Sequence, residues 1–403
     1  MKLERTELLE KILNFTNEGN GLVTGIAGVG KTHLLEETAK LLEIKKIPCL
    51  FLKTERLGDW LPSTIRDILK LDKELFEVMK SASADNNTNK PILILDGLDA
   101  ARDPKVQERV LLFLEKVLYE LKDSWKVIAS IRTYDAKYSN KLPKLFPSLN
   151  SNISSPRIFE IPLLTTEEMK RCLEQFHLGV DIYETAPSDL KSLLKVPINL
   201  WLLEKALSGL SKVPDLSQIR SQIGLLDLFW TKLEQKISAS FELDQLLICL
   251  CNSFISNVSL SLDYKSVTKN IPAEFIDLLA SENLIDEEGL KNGRIHFIHN
   301  VLFDYAISIY GIPKEFGELL KFLETDNRFP FLLRPSLTYY FSKLWHGKRS
   351  LFWKVAWKSL IPYELALDLM LRTVVPAVIV EEAVATRELE PLLDDSIPKQ
   401  DAA

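Results

Sequence analysis

The hydrophobic positions of residues 1–162 follow two patterns, short apolar runs and longer stretches with helical spacing. The runs are as short as strands, and a continuous run indicates a strand that is buried on both faces. They predict strands at 21–24, 48–53, 91–95, 126–131 and 158–161. The stretches between them predict helices at 4–18, 32–42, 57–80 and 104–122. Strands that alternate with helices predict a parallel sheet covered by helices on both faces.

The pattern changes after Pro162. Helical periodicity dominates 165–210 and 224–285, and short strand-like pieces lie between 289 and 298. From about residue 307 the chain is predicted to form helices rich in Leu, Phe and Trp. One polar stretch, SASADNNTNK at 81–90, is predicted to be an exposed loop because it is rich in turn-forming residues.

Composition and charge narrow the class of protein. The 403 residues are 46% apolar and 26% charged, as in soluble globular proteins, and this length predicts two to four structural units. A net charge of −6 does not indicate nucleic acid or an anionic membrane as a partner. We expect a cytoplasmic protein, since no apolar run approaches the roughly 20 residues of a membrane helix. The four cysteines have no metal-ligand spacing and are expected to be reduced and buried.

The candidate chemistry begins at a glycine-rich segment, GIAGVGKT at Gly25 to Thr32. It matches the phosphate-binding pattern G-x-x-x-x-G-K-[ST] and lies between a predicted strand and a predicted helix. Glycines let backbone N–H groups turn toward phosphate oxygens, and the helix adds the positive end of its dipole. Lys31 is expected to reach the β- and γ-phosphates, and the Thr32 hydroxyl to bind Mg²⁺. The predicted nucleotide contacts are Gly25, Ala27, Gly28, Val29, Gly30, Lys31, Thr32 and His33.

Two other predicted strands end in charged residues that would complete this site. The run at 91–95 leads into Asp96, predicted to hold Mg²⁺ together with the loop, and Asp99 follows shortly after. Asp99 is expected either to orient the attacking water or to cap the next helix. Arg132 follows the strand at 126–131 and is expected either to sense the γ-phosphate or to form a surface ion pair. The predicted catalytic residues are Lys31, Asp96, Asp99 and Arg132.

Together with DGLD at 96–99 and Ser130-Ile-Arg132, the loop resembles the signal-transduction ATPases with numerous domains, the STAND class that includes NACHT proteins. Two downstream segments extend the resemblance. VPINL at 196–200 resembles the class's proline-containing motif in the helical domain. FIHNVLFDY at 297–305 resembles the signature F-x-H-x-x-h-x-[ED]-Y at the end of its winged-helix domain.

The resemblance implies both a domain order and two more site residues. It predicts an α/β P-loop domain with a parallel sheet at 1–162, an all-α helical domain at 163–215 and a winged-helix domain at 216–306. The helical C-terminal region at 307–403 is then a candidate sensor or the start of a helical array. Pro197 is implied to lie beside the adenine, and His299 to contact the ADP phosphate in the inactive state. A helix-breaking proline and a purely structural histidine are the simpler alternatives.

Members of this class are nucleotide switches, so the resemblance implies a function. ADP holds a closed monomer, while ATP and a trigger, which the sequence does not identify, open it for oligomerisation. ATP or ADP with Mg²⁺, self-association in the ATP state, a separate effector protein and a role in signalling or defence are implied. Where NACHT proteins usually have Asp-Glu, this chain has Asp99-Ala100, so we expect slow hydrolysis.

Two other functions remain open on the sequence. One is an AAA-type motor or DNA-processing ATPase, for which Arg102 and Arg109 are the candidate arginine fingers, although no basic stripe along the chain supports it. The other is a non-catalytic, nucleotide-gated binding module, which is favoured if Ala100 abolishes turnover.

Overall fold

A computed structural model describes residues 5–83, 90–139, 141–149, 155–209, 214–237, 242–325, 330–360 and 372–393. Strands β1 to β5 are Gly21–Gly25, Cys49–Lys53, Ile92–Asp96, Lys126–Arg132 and Ile158–Glu160. They form one parallel sheet in the order β2-β3-β4-β1-β5. Helices α1 to α7 are Thr6–Glu18, Lys31–Ile44, Pro62–Leu69, Leu75–Ser83, Pro104–Glu120, Thr133–Tyr138 and Leu142–Leu145. The predicted α/β P-loop architecture with a parallel sheet is therefore confirmed.

Both faces of the sheet are covered, as the continuous apolar runs require. Successive residues of β3 point to opposite faces, so Ile92 and Ile94 join one buried cluster while Leu93 and Leu95 join another. Helices α1 and α2 supply the first cluster, and α5 supplies the second. All residues of β1 and β3 are buried, so neither strand shows the alternation of a half-exposed strand.

The register of the sheet brings the ends of four strands to one edge. Gly25 at the end of β1 pairs with Arg132 at the end of β4, and Lys53 of β2 pairs with Asp96 of β3. The glycine-rich loop leaves the sheet at this edge and leads into α2. The charged residues that follow the predicted strands are therefore collected around the loop.

The described residues between 164 and 379 form a largely helical remainder around one apolar cluster. Helices α8 to α13 are Thr166–Gln175, Val180–Thr185, Ser188–Leu193, Pro197–Leu207, Gln222–Ile237 and Leu243–Ser256. Strands β6 and β7, Leu262–Asp263 and Arg294–Ile295, form a small antiparallel sheet. Helices α14 to α20 are Tyr264–Val267, Ala273–Ser281, Glu287–Lys291, Asn300–Ala306, Phe316–Thr325, Pro330–Gly347 and Arg349–Leu360. Two further helices are Val374–Glu382 and Glu390–Leu393.

Some local predictions differ from the structure. Within 224–285, where helical periodicity dominates, Leu262–Asp263 forms strand β6, because a two-residue strand leaves no periodicity in the sequence. The loop predicted at 81–90 begins later, since α4 continues to Ser83, and 84–89 lie outside the described residues. The cysteines are free thiols, two of them only half-buried. Among the described helices, none has the length and apolar character needed to cross a membrane.

Helix α11 rests directly on the glycine-rich loop. The backbone N–H of Ile198, at the start of α11, donates a hydrogen bond of 3.2 Å to the carbonyl oxygen of Gly28. Gly28 has a φ of +77°, and a Cβ built on it would lie 2.1 Å from Cγ2 of Ile198. Residue 28 must therefore be glycine both for its left-handed backbone and for the closeness of α11.

We expect Gly28→Ala to lower the free energy of unfolding by about 2–4 kcal/mol, because left-handed strain adds to overpacking against Ile198. Gly209→Ala is the matched control: Gly209 also has a positive φ, +74°, but no atom of the described residues lies within 4 Å of the position of its Cβ. Its cost should stay near 1–2 kcal/mol, the strain alone. Urea unfolding of both variants measures the difference, and equal shifts would show that α11 does not press on the loop.

Candidate nucleotide-binding site

A cavity of about 460 Å³ lies over the edge of the sheet where the strands end. The loop and the strand ends line one side of it. The start of α11 and residues 296–300, just before and within α17, line the other side. Residues that are far apart in the sequence, Lys31 and His299 among them, therefore share one cavity.

The loop has the geometry of an anion site. Gly28 and Gly30 have φ values of +77° and +97°, and Gly30 is the N-cap of α2 without any side-chain cap. The backbone N–H groups in the first turn of α2 therefore have no acceptor within the helix, and they can donate to an anion in the cavity. The Lys31 ammonium donates hydrogen bonds of 2.7 and 3.0 Å to the carbonyl oxygens of Gly25 and Ile26. Burial lowers the pKa of Lys31, and the nearby Asp99 and Asp96 carboxylates oppose that shift.

The oxygen atoms near Asp96 fit a Mg²⁺ ion. Asp96 is 5% exposed, its Oδ1 accepts a hydrogen bond of 2.5 Å from Ser130, and the Thr32 hydroxyl also hydrogen-bonds to it. Burial raises the pKa of Asp96, while these two hydrogen bonds lower it. A hydroxyl and a carboxylate are hard oxygen ligands that suit Mg²⁺. No group of three His, Cys, Asp or Glu side chains in the described part of the chain could hold a metal, so phosphate oxygens and water would complete the coordination.

Arg132 and Asp99 form an ion pair at the wall of the cavity. Nε of Arg132 lies 2.8 Å from Oδ2 of Asp99, and the two side chains are 17% and 10% exposed, so this is not a surface ion pair. Burial disfavours the charged guanidinium, but Asp99 and Asp304 outweigh it and raise the pKa of Arg132. The alternative that Asp99 caps the next helix was wrong, because Asp103 accepts the hydrogen bonds at the start of α5.

A second, buried ion pair joins the segment between β3 and α5 to α17. Nη1 and Nη2 of Arg102 donate to the two carboxylate oxygens of Asp304 in α17, at 2.6 and 3.1 Å. Arg102 also donates to the carbonyl oxygen of Leu332 in α19, at 2.9 Å. Asp304 lies 3.8 Å from Arg132 as well, so it contacts both arginines. Arg102 is thus engaged within its own chain in this conformation and is not available as an arginine finger.

His299 reaches the cavity as the N-cap of α17. Its Nδ1 accepts a hydrogen bond of 3.1 Å from the backbone N–H of Val301. Burial and the positive charges of Arg132 and Lys31 lower its pKa to about 4, so the ring is neutral at physiological pH. Because Nδ1 accepts, the ring proton is on Nε2, which leaves one N–H donor for a ligand.

The remaining predicted contacts occupy different places. Ala27, Gly28, Gly30, Lys31, Thr32, His33 and Pro197 line the cavity. Pro197 is the first residue of α11, where its missing N–H costs nothing. Gly25 and Val29 do not line it. The Val29 side chain is buried in the core beneath the loop, and Gly25 contributes the carbonyl oxygen that Lys31 binds.

Glu55 is a cavity residue for which the sequence predicted no role. It lies two residues after the end of β2, and it lines the same cavity as Asp96. Burial raises the pKa of Glu55, and the Asp96 carboxylate raises it further. The available signal was a carboxylate directly after a predicted strand, the same signal that identified Asp96.

Comparisons with protein-family models and with curated proteins found no match. Among solved structures, the chain is similar to a Walker-type ATPase of Pyrococcus abyssi, with 15% identity and a TM-score of 0.39 over 76% of this chain and 96% of that one. It is similar to Drosophila ORC bound to DNA, with 16% identity and a TM-score of 0.34 over 75% and 86%. It is also similar to AMPPCP-bound DnaA from Aquifex aeolicus, with 16% identity and a TM-score of 0.33 over 68% of this chain and 85% of that one. At these TM-scores the similarities carry no inference about activity or ligands.

We expect Asp304→Asn to destabilise the protein by about 3–5 kcal/mol, because it leaves Arg102 buried without its counter-charge. Asp67→Asn is the control, since Asp67 pairs with Arg66 in an exposed ion pair and should cost no more than about 0.5 kcal/mol. Thermal and urea unfolding of the two variants measure the difference. Similar small shifts in both would contradict the role given to the buried pair.

Proposed function

We propose that the chain is an ATP-hydrolysing molecular switch of the STAND type, closed with ADP and open with ATP. One observation carries the proposal: the phosphate-binding loop and His299, at the start of α17, line the same cavity. A nucleotide in that cavity would contact both parts of the chain and hold them together. Removal of that contact would let them separate.

The charge network supports a closed state that is unsuited to hydrolysis. Asp304 lies 3.8 Å from Arg132, and Arg102 binds the same carboxylate. Arg132 is the last residue of β4, which lies between β1 and β3, so it lies between the loop and Asp96. Opening at α17 would remove Asp304 from Nη2 of Arg132 and leave that end of the guanidinium to interact with the γ-phosphate, while Nε keeps its contact with Asp99.

The other side chains of the cavity have roles in binding and charge stabilisation. Bound Mg²⁺ would neutralise phosphate charge and help to orient the γ-phosphoryl group. Thr32 and Asp96 would hold the ion, with Ser130 fixing the Asp96 carboxylate. Lys31 would replace its two carbonyl partners with the β- and γ-phosphate oxygens.

The proposed domains, partners and location are those implied by the resemblance to the STAND class. The domains are a P-loop domain at 1–162, a helical domain at 163–215, a winged helix at 216–306 and a C-terminal sensor region at 307–403. Pro197 would lie beside the adenine. The open form would self-associate and act on a separate effector in signalling or defence, inside the cytoplasm. To reverse the populations decisively, ADP must prefer the closed state by about 3–5 kcal/mol.

The test is to purify the chain, identify any nucleotide that co-purifies, and measure its mass with ADP and with ATP and Mg²⁺. We expect bound ADP on a monomer and slow turnover, with a larger assembly in ATP. Lys31→Ala should lose nucleotide in both conditions. A constant hexamer with fast, DNA-stimulated turnover would favour a DNA-processing motor instead, and binding without any hydrolysis would favour a non-catalytic module.

Substitution of His299 separates its two roles. We expect His299→Ala and His299→Asn both to speed ADP release about 10-fold and to increase the assembled fraction in ATP, because each loses the imidazole N–H donor to phosphate. Asn is a good N-cap, so only the Ala variant should also lose about 1 kcal/mol of stability. Stopped-flow release of a fluorescent ADP and light scattering measure these effects. If ADP release is faster only in the Ala variant, His299 acts as a helix cap and not as a phosphate ligand.

A further inference from the structure

The end of β2 adds a carboxylate to the nucleotide cavity. Lys53, the last residue of β2, pairs in register with Asp96, the last residue of β3. Glu55 follows two residues later and lines the cavity together with Lys31, Asp96 and Asp99. Two neighbouring strands therefore each deliver a carboxylate to the same edge of the sheet.

The residues after Asp96 offer no free proton acceptor. The carboxylate of Asp99 is engaged by Arg132, at 2.8 Å. Ala100 follows it and has no polar side-chain atom. Hydrolysis of a phosphoanhydride gains from a side chain that removes a proton from the attacking water. Another part of the cavity must supply that group.

Unlike Asp99, Glu55 is not paired with an arginine or a lysine among the described residues. Among the described residues, none hydrogen-bonds to it or forms an ion pair with it. Glu36, another acid of the same cavity, is instead paired with Lys53 at 2.7 Å. Burial also raises the pKa of Glu55, which favours uptake of a proton by this carboxylate. Both its position in the cavity and its burial therefore suit Glu55 to accept a proton from water.

We propose that Glu55 is the general base of the hydrolysis, a role that rests on the proposed ATPase function. The water oxygen bonds to the γ-phosphorus, and the bond from that phosphorus to the β–γ bridging oxygen breaks. The bridging oxygen leaves with its electron pair on ADP. One water proton passes to a Glu55 carboxylate oxygen and then to solvent, and the products are ADP and inorganic phosphate.

The test compares wild type with Glu55→Gln, which keeps the size of the side chain and removes its basic oxygen. We expect the rate of single-turnover ATP hydrolysis to fall about 100-fold or more. Affinity for the non-hydrolysable analogue AMPPCP should stay within about threefold, which also shows that the variant is folded. After incubation with ATP, the protein-bound nucleotide should be ATP rather than ADP.

Glu108→Gln, on the exposed side of α5, is the control and should match wild type. A Glu55→Gln variant that hydrolyses ATP at the wild-type rate would overturn the role of Glu55 but not the proposed switch function. Loss of AMPPCP binding in both Glu55→Gln and Glu55→Asp would overturn it too, by showing a structural role. A wild-type chain that binds ATP without hydrolysing it would instead overturn the proposed ATPase function, and the role of Glu55 with it.

Discussion

The buried ion pair between Arg102 and Asp304 is the interaction on which the arrangement of the molecule depends. Burying two charges costs several kcal/mol unless their geometry is good and their other polar atoms are satisfied. Here the guanidinium binds both carboxylate oxygens and also the carbonyl oxygen of Leu332. The pair therefore holds the segment between β3 and α5 against α17 and α19, and α17 begins directly after His299 of the cavity.

The Asp304 carboxylate belongs both to the buried ion pair and to the surroundings of the phosphate site. Asp304 belongs to the buried pair, yet it also lies 3.8 Å from Arg132, whose other partner is Asp99. A charge that fixes the fold is therefore shared with a residue of the phosphate site. Any movement of α17 changes the electrostatic environment of Arg132, so the conformation of the chain and the charge at the nucleotide are coupled without a separate relay.

The sequence predicted what depends on local chemistry. The loop, the apolar runs and the residues that end them specify the parallel sheet and place Lys31 and Asp96. It did not predict which charges meet, because the pairing of Arg102 with Asp304 depends on the docking of distant elements. Glu55, like Asp96, follows a predicted strand, but the sequence does not show that β2 pairs with β3 and so brings Glu55 to the same cavity.

The contact between Gly28 and Ile198 has a consequence for sequence variation. The space between the loop and α11 is filled by the side chain of residue 198, and glycine at residue 28 leaves it just enough room. The two positions thus share one fixed volume. In other chains that keep this packing, a large side chain at position 198 should occur only with glycine at position 28, and any larger residue at 28 only with a smaller one at 198. Such paired changes would show, from an alignment alone, that α11 has evolved together with the phosphate-binding loop.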